Sequence, residues 1–166
     1  GDGADYASRN NKKLRDLFAA RSDVFGKATL VEVNSASPVL GPPESADVVL
    51  TFRNVHNWTS AKADGAMFKG FHAALKPGGT LGVVEHRAKA GATVEESFKS
   101  GYLPTDYVIK LATDAGFKLD AQSEVNANPK DTADHPFGVW TLPPNLRSTP
   151  YGSGKDEDPA FDKSKY

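Results

Sequence analysis

Polar and titratable side chains follow directly on two apolar runs that have the character of buried strands. Asn54, His56, Asn57 and Trp58 follow the run at residues 46–52. Glu85 and His86 stand at the end of the run at residues 80–85. Ligands of open α/β sheets bind beyond the carboxyl ends of the strands, so both groups are expected at one edge. His56 is the residue type that accepts a proton at neutral pH. The pattern therefore predicts a site that orients a nucleophile and removes its proton.

Each of these residues also has a purely structural interpretation. Asn54 and Asn57 can make turn or capping hydrogen bonds, and Trp58 can fill a gap in the core. Glu85 can pair with a nearby arginine, such as Arg87 or Arg53, instead of meeting His56. Two histidines and a carboxylate can also ligate a metal, but their spacing on loops is not diagnostic, and we predict no metal site.

Further along the chain, His135 lies in a loop before the last predicted strand and can reach the same pocket. Tyr102 and Tyr107 flank Pro104, and either can line the pocket, although core packing is the simpler interpretation of Tyr107. His72 shares a predicted helix with apolar residues and is interpreted as a solvent-edge or packing residue.

Composition excludes several classes of function. The formal net charge is -1 and the chain has no cysteine. Nothing in this charge points to nucleic acid or an anionic membrane surface, and neither disulfides nor zinc–thiolate sites are possible. No apolar run approaches the about 18 residues that span a bilayer. The chain also lacks a nucleophile elbow and a phosphate-binding loop.

The elements that must position these residues alternate between helix and strand. We predict helices at about 5–25, 59–75 and 104–115, and strands at 28–33, 46–52, 80–85, 117–125 and 138–142. Such alternation is typical of an α/β layer with a mostly parallel sheet, and the closing pair predicts an antiparallel strand at one edge. Proline and two glycines at 77–79 end the second helix sharply.

Three blocks carry a resemblance to a known family. They are LKPGG at 75–79, which joins a helix to a strand, SADVV at 45–49, and the segment from LPTDY to AGF at 103–117. In this order and spacing they resemble class I S-adenosylmethionine-dependent methyltransferases. The resemblance covers roughly residues 28–142 and implies a Rossmann-like three-layer sandwich.

A narrower resemblance is to a group of bacterial predicted methyltransferases of largely uncharacterised substrate. It rests on TFRNVHNW at 51–58, EHR at 85–87 and the segment 101–117. It implies methyl transfer from S-adenosylmethionine to a small-molecule acceptor, with His56, Asn54 and His86 as catalytic residues. Cofactor contacts are expected from Asn34, Phe52 and Arg53. Acceptor contacts are expected from Asn57, Trp58, Glu85, Tyr102 and His135.

The chain departs from this family at its N-terminal side. No glycine-rich turn follows a first strand, and no acidic residue closes a second one; Gly1-Asp2-Gly3 has no strand before it. We therefore expect residues 1–147 to be the C-terminal two-thirds of the domain, with an incomplete sheet and a polar tail at 148–166. A missing N-terminal segment or a partner chain would then cover the sheet.

Two other classes of function remain open at this point. One is a non-catalytic, methyltransferase-like binding or structural protein. The other is a nicotinamide-dependent oxidoreductase. The KPGG turn is evidence against this class, and the sequence has no glycine-rich dinucleotide-binding fingerprint that would support it.

Overall fold

The computed structural model of the chain describes residues 2–150 and 158–165. The chain divides into two compact units, Gly1–Glu32 and Val33–Tyr166. Each is described by itself below.

The first unit is helical. Helix α1 spans Asp2–Ala20 and helix α2 spans Ser22–Phe25, which matches the predicted helix at 5–25 apart from a break. The rings of Phe18 and Phe25 stack at 4.5 Å between centroids, and Arg15 pairs with Glu32. The predicted strand at 28–33 is wrong, because these residues have no regular secondary structure. A β-branched run becomes a strand only where another strand completes its ladder of backbone hydrogen bonds.

A parallel sheet forms the framework of the second unit. Strand β1 spans Ala46–Phe52 and strand β2 spans Leu75–Val84, and Thr51 lies opposite Val83. Both predicted strands at the centre of the chain are therefore confirmed, although β2 begins before the predicted turn at 77–79. Within the described residues the sheet has these two strands. The fold is thus α/β with a parallel sheet.

The two strands predicted to close the sheet are wrong, and with them the antiparallel edge. Residues 117–125 have no regular structure, and Val125 is 83% exposed. Gly138–Thr141 is a 3-10 helix. Gly138 has φ +58 and its Cα lies so close to the backbone of Ser100 that a Cβ would overlap the carbonyl oxygen of that residue. Period-2 alternation predicted the strand at 117–125, but among the described residues no strand lies beside it to pair with.

The helices of this unit differ from prediction in two places. The single helix predicted at 59–75 is divided into α3 (Val55–Ser60) and α4 (Asp64–Ala74), and Lys62 between them has φ +55. Helix α5 (Val94–Ser100) was not predicted. Its signal was present as a capping box, in which the Thr93 side chain accepts from the Glu96 amide and Glu96 reaches back. Helix α6 (Thr105–Asp114) agrees with prediction.

The core lies between β1 and helices α3, α4 and α6. Its buried residues are Val55, Met67, Phe68, Phe71 and Leu103. Strand β1 directs Thr51 into this core, whereas Val48, Leu50 and Phe52 on its other face are 54%, 61% and 56% exposed. Since β2 pairs with β1 along one side, the described residues leave the other side and this apolar face of β1 uncovered.

None of the helices within the described residues has the length and apolar character that crossing a membrane requires. Part of the predicted tail, residues 151–157 and 166, lies outside the described residues. At its start Ser148 is 5% exposed, and its Oγ accepts a hydrogen bond of 2.8 Å from the Asp158 amide.

Candidate acid–base site

The candidate site lies just beyond the carboxyl ends of β1 and β2. His56 is the second residue of α3, and Glu85 and His86 follow β2 directly. Arg53 lies between β1 and α3 with φ +56, and its amide donates to the Val84 carbonyl at 2.7 Å. This left-handed residue turns the chain from the strand into the helix while keeping the strand end paired. The turn brings His56 over the end of β2.

His56 and Glu85 form a buried pair. His56 Nδ1 lies 2.8 Å from Glu85 Oε1, and the two side chains are 5% and 6% exposed. The carboxylate also accepts the His56 amide at 3.2 Å and the His86 amide at 2.8 Å. An ionised carboxylate can only accept hydrogen bonds, so Nδ1 is assigned the proton. Nε2 then carries the lone pair, and within the described residues no hydrogen bond engages it.

His86 lies between this pair and a tyrosine. Its ring centroid is 5.9 Å from that of His56 and 5.8 Å from that of Tyr102. Burial, the largest influence, lowers the pKa of His86 below its ordinary value of 6.5, although the charge of Glu85 opposes this shift. His86 is therefore neutral at neutral pH.

A second carboxylate, that of Asp131, accepts hydrogen bonds on the side of the cluster away from Glu85. Asp131 Oδ1 accepts from the Tyr102 hydroxyl at 2.7 Å, from His135 Nε2 at 3.0 Å and from the Ala133 amide at 3.0 Å. Burial, followed by the hydrogen bond to Asp131, raises the pKa of the Tyr102 phenol far above its usual range. Tyr102 therefore stays protonated and donates.

Trp140 forms one wall of the cluster. Its ring meets that of His56 edge-on, at 5.8 Å between centroids and 80° between planes. The guanidinium of Arg147 lies 5.6 Å from the Trp140 centroid, and the Arg147 amide donates to the Trp140 carbonyl at 2.9 Å.

Sequence reasoning missed both Trp140 and Asp131 as site residues. Trp140 had been placed in a strand that does not exist. Asp131 lies in a loop where its spacing from other residues carries no signal.

The structure thus brings together five of the residues predicted for the site. They are His56, Glu85, His86, Tyr102 and His135. The alternative interpretation of Glu85 as an arginine partner is wrong. Glu85 pairs with His56, Arg87 pairs with Glu124 at 2.8 Å, and among the described residues no ion pair joins Glu85 to Arg53.

Other predicted residues lie outside this cluster. Phe52, Arg53 and Asn57 are exposed. The Asn34 carboxamide oxygen accepts from the Ala36 amide at 3.0 Å, within a local turn. Trp58 packs against the core ring of Phe71, at 5.6 Å between centroids.

His72 and Tyr107 both contact a neighbouring element, but His72 is exposed and Tyr107 is partly buried. The His72 ring meets Phe117 edge-on at 5.2 Å. The Tyr107 hydroxyl donates to Asp64 at 2.5 Å and ties α6 to the start of α4.

A cavity of about 320 Å³ lies on the other side of the segment that carries Asn54. Its polar wall residues are Ser35, Thr51 and Asn54. The apolar wall is formed by Val33, Leu40, Leu50, Trp58, Met67 and Phe71. Among the residues that the structure describes, no charged side chain lines it.

Within the part of the chain that the structure describes, no group of three or more His, Cys, Asp or Glu side chains is arranged to hold a metal ion. In comparisons with family models, curated proteins and solved structures, none matches this chain.

Proposed function

We propose that this site activates a small-molecule acceptor for methyl transfer from S-adenosylmethionine. The observation that carries the proposal is the buried His56–Glu85 pair beyond the carboxyl ends of two neighbouring parallel strands. This is where open α/β sheets bind their ligands. The resemblance of the chain to class I methyltransferases supplies the reaction class.

The chemistry that these residues can perform is proton removal. His56 Nε2 takes the proton of an acceptor hydroxyl or amine, and the charge that forms on the imidazole is stabilised by Glu85 at 2.8 Å. Neutral His86 lies beside the pair and can orient the acceptor by a hydrogen bond. Tyr102 packs on the far side of His86 and donates its hydroxyl proton to Asp131. S-adenosylmethionine, when bound, supplies an electrophilic methyl group on a sulfonium.

The described residues do not fit the whole of this cofactor. Its ammonium, carboxylate and ribose hydroxyls require charged or strongly hydrogen-bonding partners. The cavity flanking Asn34 is lined by no charged side chain, and the Asn34 carboxamide is engaged in its own turn. We therefore assign the cofactor to further polypeptide along the free side of β1, from an N-terminal segment or a partner chain.

Calorimetric titration with S-adenosylhomocysteine tests the cofactor assignment. It is performed on this chain and on the product of the full reading frame. Saturable binding to the longer form is expected. Absence of binding to both forms would contradict the proposal and favour a non-catalytic binding protein.

A transfer assay tests the acceptor site. The longer form is incubated with methyl-labelled S-adenosylmethionine and a panel of small phenols, carboxylic acids and amines. His56→Gln is expected to lower kcat by about 100-fold with little change in KM, because proton transfer contributes roughly 10²–10⁴ to such rates. His72→Gln, at an exposed position on α4 beside Phe117, is the matched control. Equal activity of both variants would exclude His56 as the base.

A further inference from the structure

Arg53 lies at the rim of the acid–base site. It stands between β1 and α3, and its amide donates to the Val84 carbonyl at the end of β2 at 2.7 Å. Glu85 and His86 follow Val84 directly, so the Arg53 backbone is held at the sheet edge where the site begins. Its side chain is exposed. A positive charge in contact with solvent is therefore fixed beside the site.

The charges around His86 differ in whether they have a partner. Glu85 accepts three hydrogen bonds from protein groups, and so does Asp131. His56 is paired with Glu85. Among the described residues, the Arg53 guanidinium makes no hydrogen bond or ion pair. Burial chiefly lowers the pKa of His86, and the positive charge of Arg53 lowers it further, so this guanidinium lies within electrostatic reach of the imidazole.

This balance of charge discriminates between acceptors. A cationic amine that approaches His56 would meet an unpaired guanidinium, and the carboxylates nearby are already engaged by protein donors. A carboxylate would instead find a guanidinium, whose planar N–H groups match its two oxygens. The partly exposed ring of Trp140, beside His56, adds apolar surface for the rest of such a molecule.

We propose that Arg53 binds a carboxylate of the acceptor, and that the acceptor is therefore a small carboxylic acid. The proposal rests on the proposed function and deepens it by naming the acceptor class. It also assigns Arg53 to the acceptor in place of the cofactor contact predicted from the sequence.

Binding is measured without cofactor, so that it does not depend on methyl transfer. The chain has four histidines, and ¹³C labelling at Cε1 gives each of them a signal. The labelled chain is titrated with benzoate and, separately, with benzamide, which has the same ring and no charge. Benzoate should shift the His56 and His86 signals saturably, and benzamide should bind about tenfold more weakly. The signal of His72, on α4, should not move.

Substitution of Arg53 separates binding from folding. Arg53 has φ +56, and asparagine adopts such a left-handed conformation more readily than arginine does. Arg53→Asn should therefore keep or raise the urea midpoint of unfolding, weaken benzoate about tenfold and leave benzamide unchanged. Lys62→Asn is the matched control, because Lys62 is also an exposed cation with φ +55, beyond the other end of α3. It should leave benzoate binding as in the wild-type chain.

The carboxylate of the cofactor is the other anion that Arg53 could bind. In the product of the full reading frame, Arg53→Asn should leave the affinity for S-adenosylhomocysteine unchanged. In the transfer assay it should raise KM for 4-hydroxybenzoate about tenfold with little change in kcat. The preference of the wild-type protein for this acid over 4-hydroxybenzamide should be lost.

Three results would overturn the proposal. One is equal affinity of the wild-type chain for benzoate and benzamide. The second is an equal effect of Arg53→Asn and Lys62→Asn on benzoate. The third is weakened binding of S-adenosylhomocysteine to Arg53→Asn, which would return Arg53 to the cofactor. Benzoate binding that depends on Arg53, in a protein without methyl transfer, would contradict the proposed reaction and leave the carboxylate site standing.

Discussion

Two histidine–carboxylate pairs lie on either side of His86 and Tyr102, and they differ in what supports them. The His56–Glu85 pair connects the first turn of α3 to the end of β2, and its side chains are 5% and 6% exposed. The His135–Asp131 pair lies in a segment of turns between α6 and the 3-10 helix, with side chains 8% and 19% exposed. A histidine–carboxylate pair is thus held once between a helix and a strand end and once within a loop.

The two pairs also present different ring nitrogens. Glu85 engages Nδ1 of its histidine and accepts two backbone amides. Asp131 engages Nε2 of its histidine, together with the Tyr102 hydroxyl and one backbone amide. The first arrangement leaves Nε2 of His56 without a hydrogen bond to any described residue, as the proposed role of a base requires. The second ties a loop to Tyr102, so we assign it a positioning role.

The largest expected effect comes from neutralising the framework carboxylate. Glu85→Gln should lower the free energy of unfolding by about 2–3 kcal/mol, because a buried charged acceptor of three hydrogen bonds is replaced by a neutral amide. It should also release the tautomer of His56, since an amide nitrogen can turn toward Nδ1. Urea denaturation and ¹⁵N spectra of the imidazole measure the two effects.

Glu124→Gln is the matched control for this change, because Glu124 pairs with Arg87 on the surface. Solvent screens such pairs, so stability and the His56 tautomer should stay as in the wild-type chain. A Glu85→Gln protein as stable as this control would mean that the buried pair does not fix the site.

Breaking the His135–Asp131 pair in the loop should lower the free energy of unfolding by less than breaking the His56–Glu85 pair. Asp131→Asn should lower the free energy of unfolding by about 1 kcal/mol, since neutral hydrogen bonds replace charge-assisted ones at a partly exposed position. Its distinctive effect should be local, as faster hydrogen exchange of the Ala133 amide, which Asp131 accepts. Slow exchange of the His56 amide should be unaffected.

Asp134→Asn supplies the control for the loop, because Asp134 pairs with Lys89 at the surface. Faster exchange at both Ala133 and His56 in Asp131→Asn would show that the two pairs form one cooperative unit. The distinction between framework and loop would then be lost.

The sequence predicted the site correctly where the site residues directly follow the strands of the sheet. Residues after two consecutive parallel strands meet at one sheet edge by geometry alone, so His56, Glu85 and His86 could be placed together. The strands 46–52 and 80–85 were recognisable because they are nearly continuously apolar. This pattern also predicted burial of both faces, whereas one face of β1 is exposed in the described residues.

The sequence was misleading where a partner decides the structure. Residues 28–33 and 117–125 have strand-like composition but no neighbouring strand, and pairing is a property of two segments. Asp131 and Trp140 reach the site through turns and a 3-10 helix, whose path depends on contacts distant in sequence. One such contact is the Tyr102–Asp131 hydrogen bond. No periodicity encodes it.

A change of pH is expected to have a smaller effect on stability, through His86, which lies between the two pairs. Because burial lowers the pKa of His86 below 6.5, the unfolded chain takes up this proton first as pH falls. The stability due to neutral His86 is therefore present above about pH 6.5 and lost as pH falls through 6.5 toward the lowered value. The charged and titratable groups that act on it are Glu85, His56, Asp131 and Arg53.

His86→Gln should remove this dependence. The difference in unfolding free energy between about pH 7.5 and pH 5.5 should be smaller in the variant than in the wild-type chain. His72→Gln, which alters a ring packed on Phe117, should leave the difference unchanged. An undiminished pH dependence in His86→Gln would mean that another histidine carries it.

The smallest effect is spectroscopic and compares the two buried phenols. Burial, followed by the hydrogen bond to Asp64, raises the pKa of Tyr107 to about 12, and that of Tyr102 is raised further by burial and Asp131. Neither phenol should therefore contribute to the phenolate absorbance that develops as the folded chain is titrated to about pH 11. Tyr102→Phe should match the wild-type chain in this range, and so should Tyr107→Phe.

In Asp131→Asn, the loss of the nearby negative charge and of a charged acceptor should lower the Tyr102 pKa, and extra absorbance should develop at lower pH than in the wild-type chain. An Asp131→Asn curve identical to that of the wild-type chain would show that burial alone keeps Tyr102 protonated, and the loop carboxylate would then have no electrostatic part in the site.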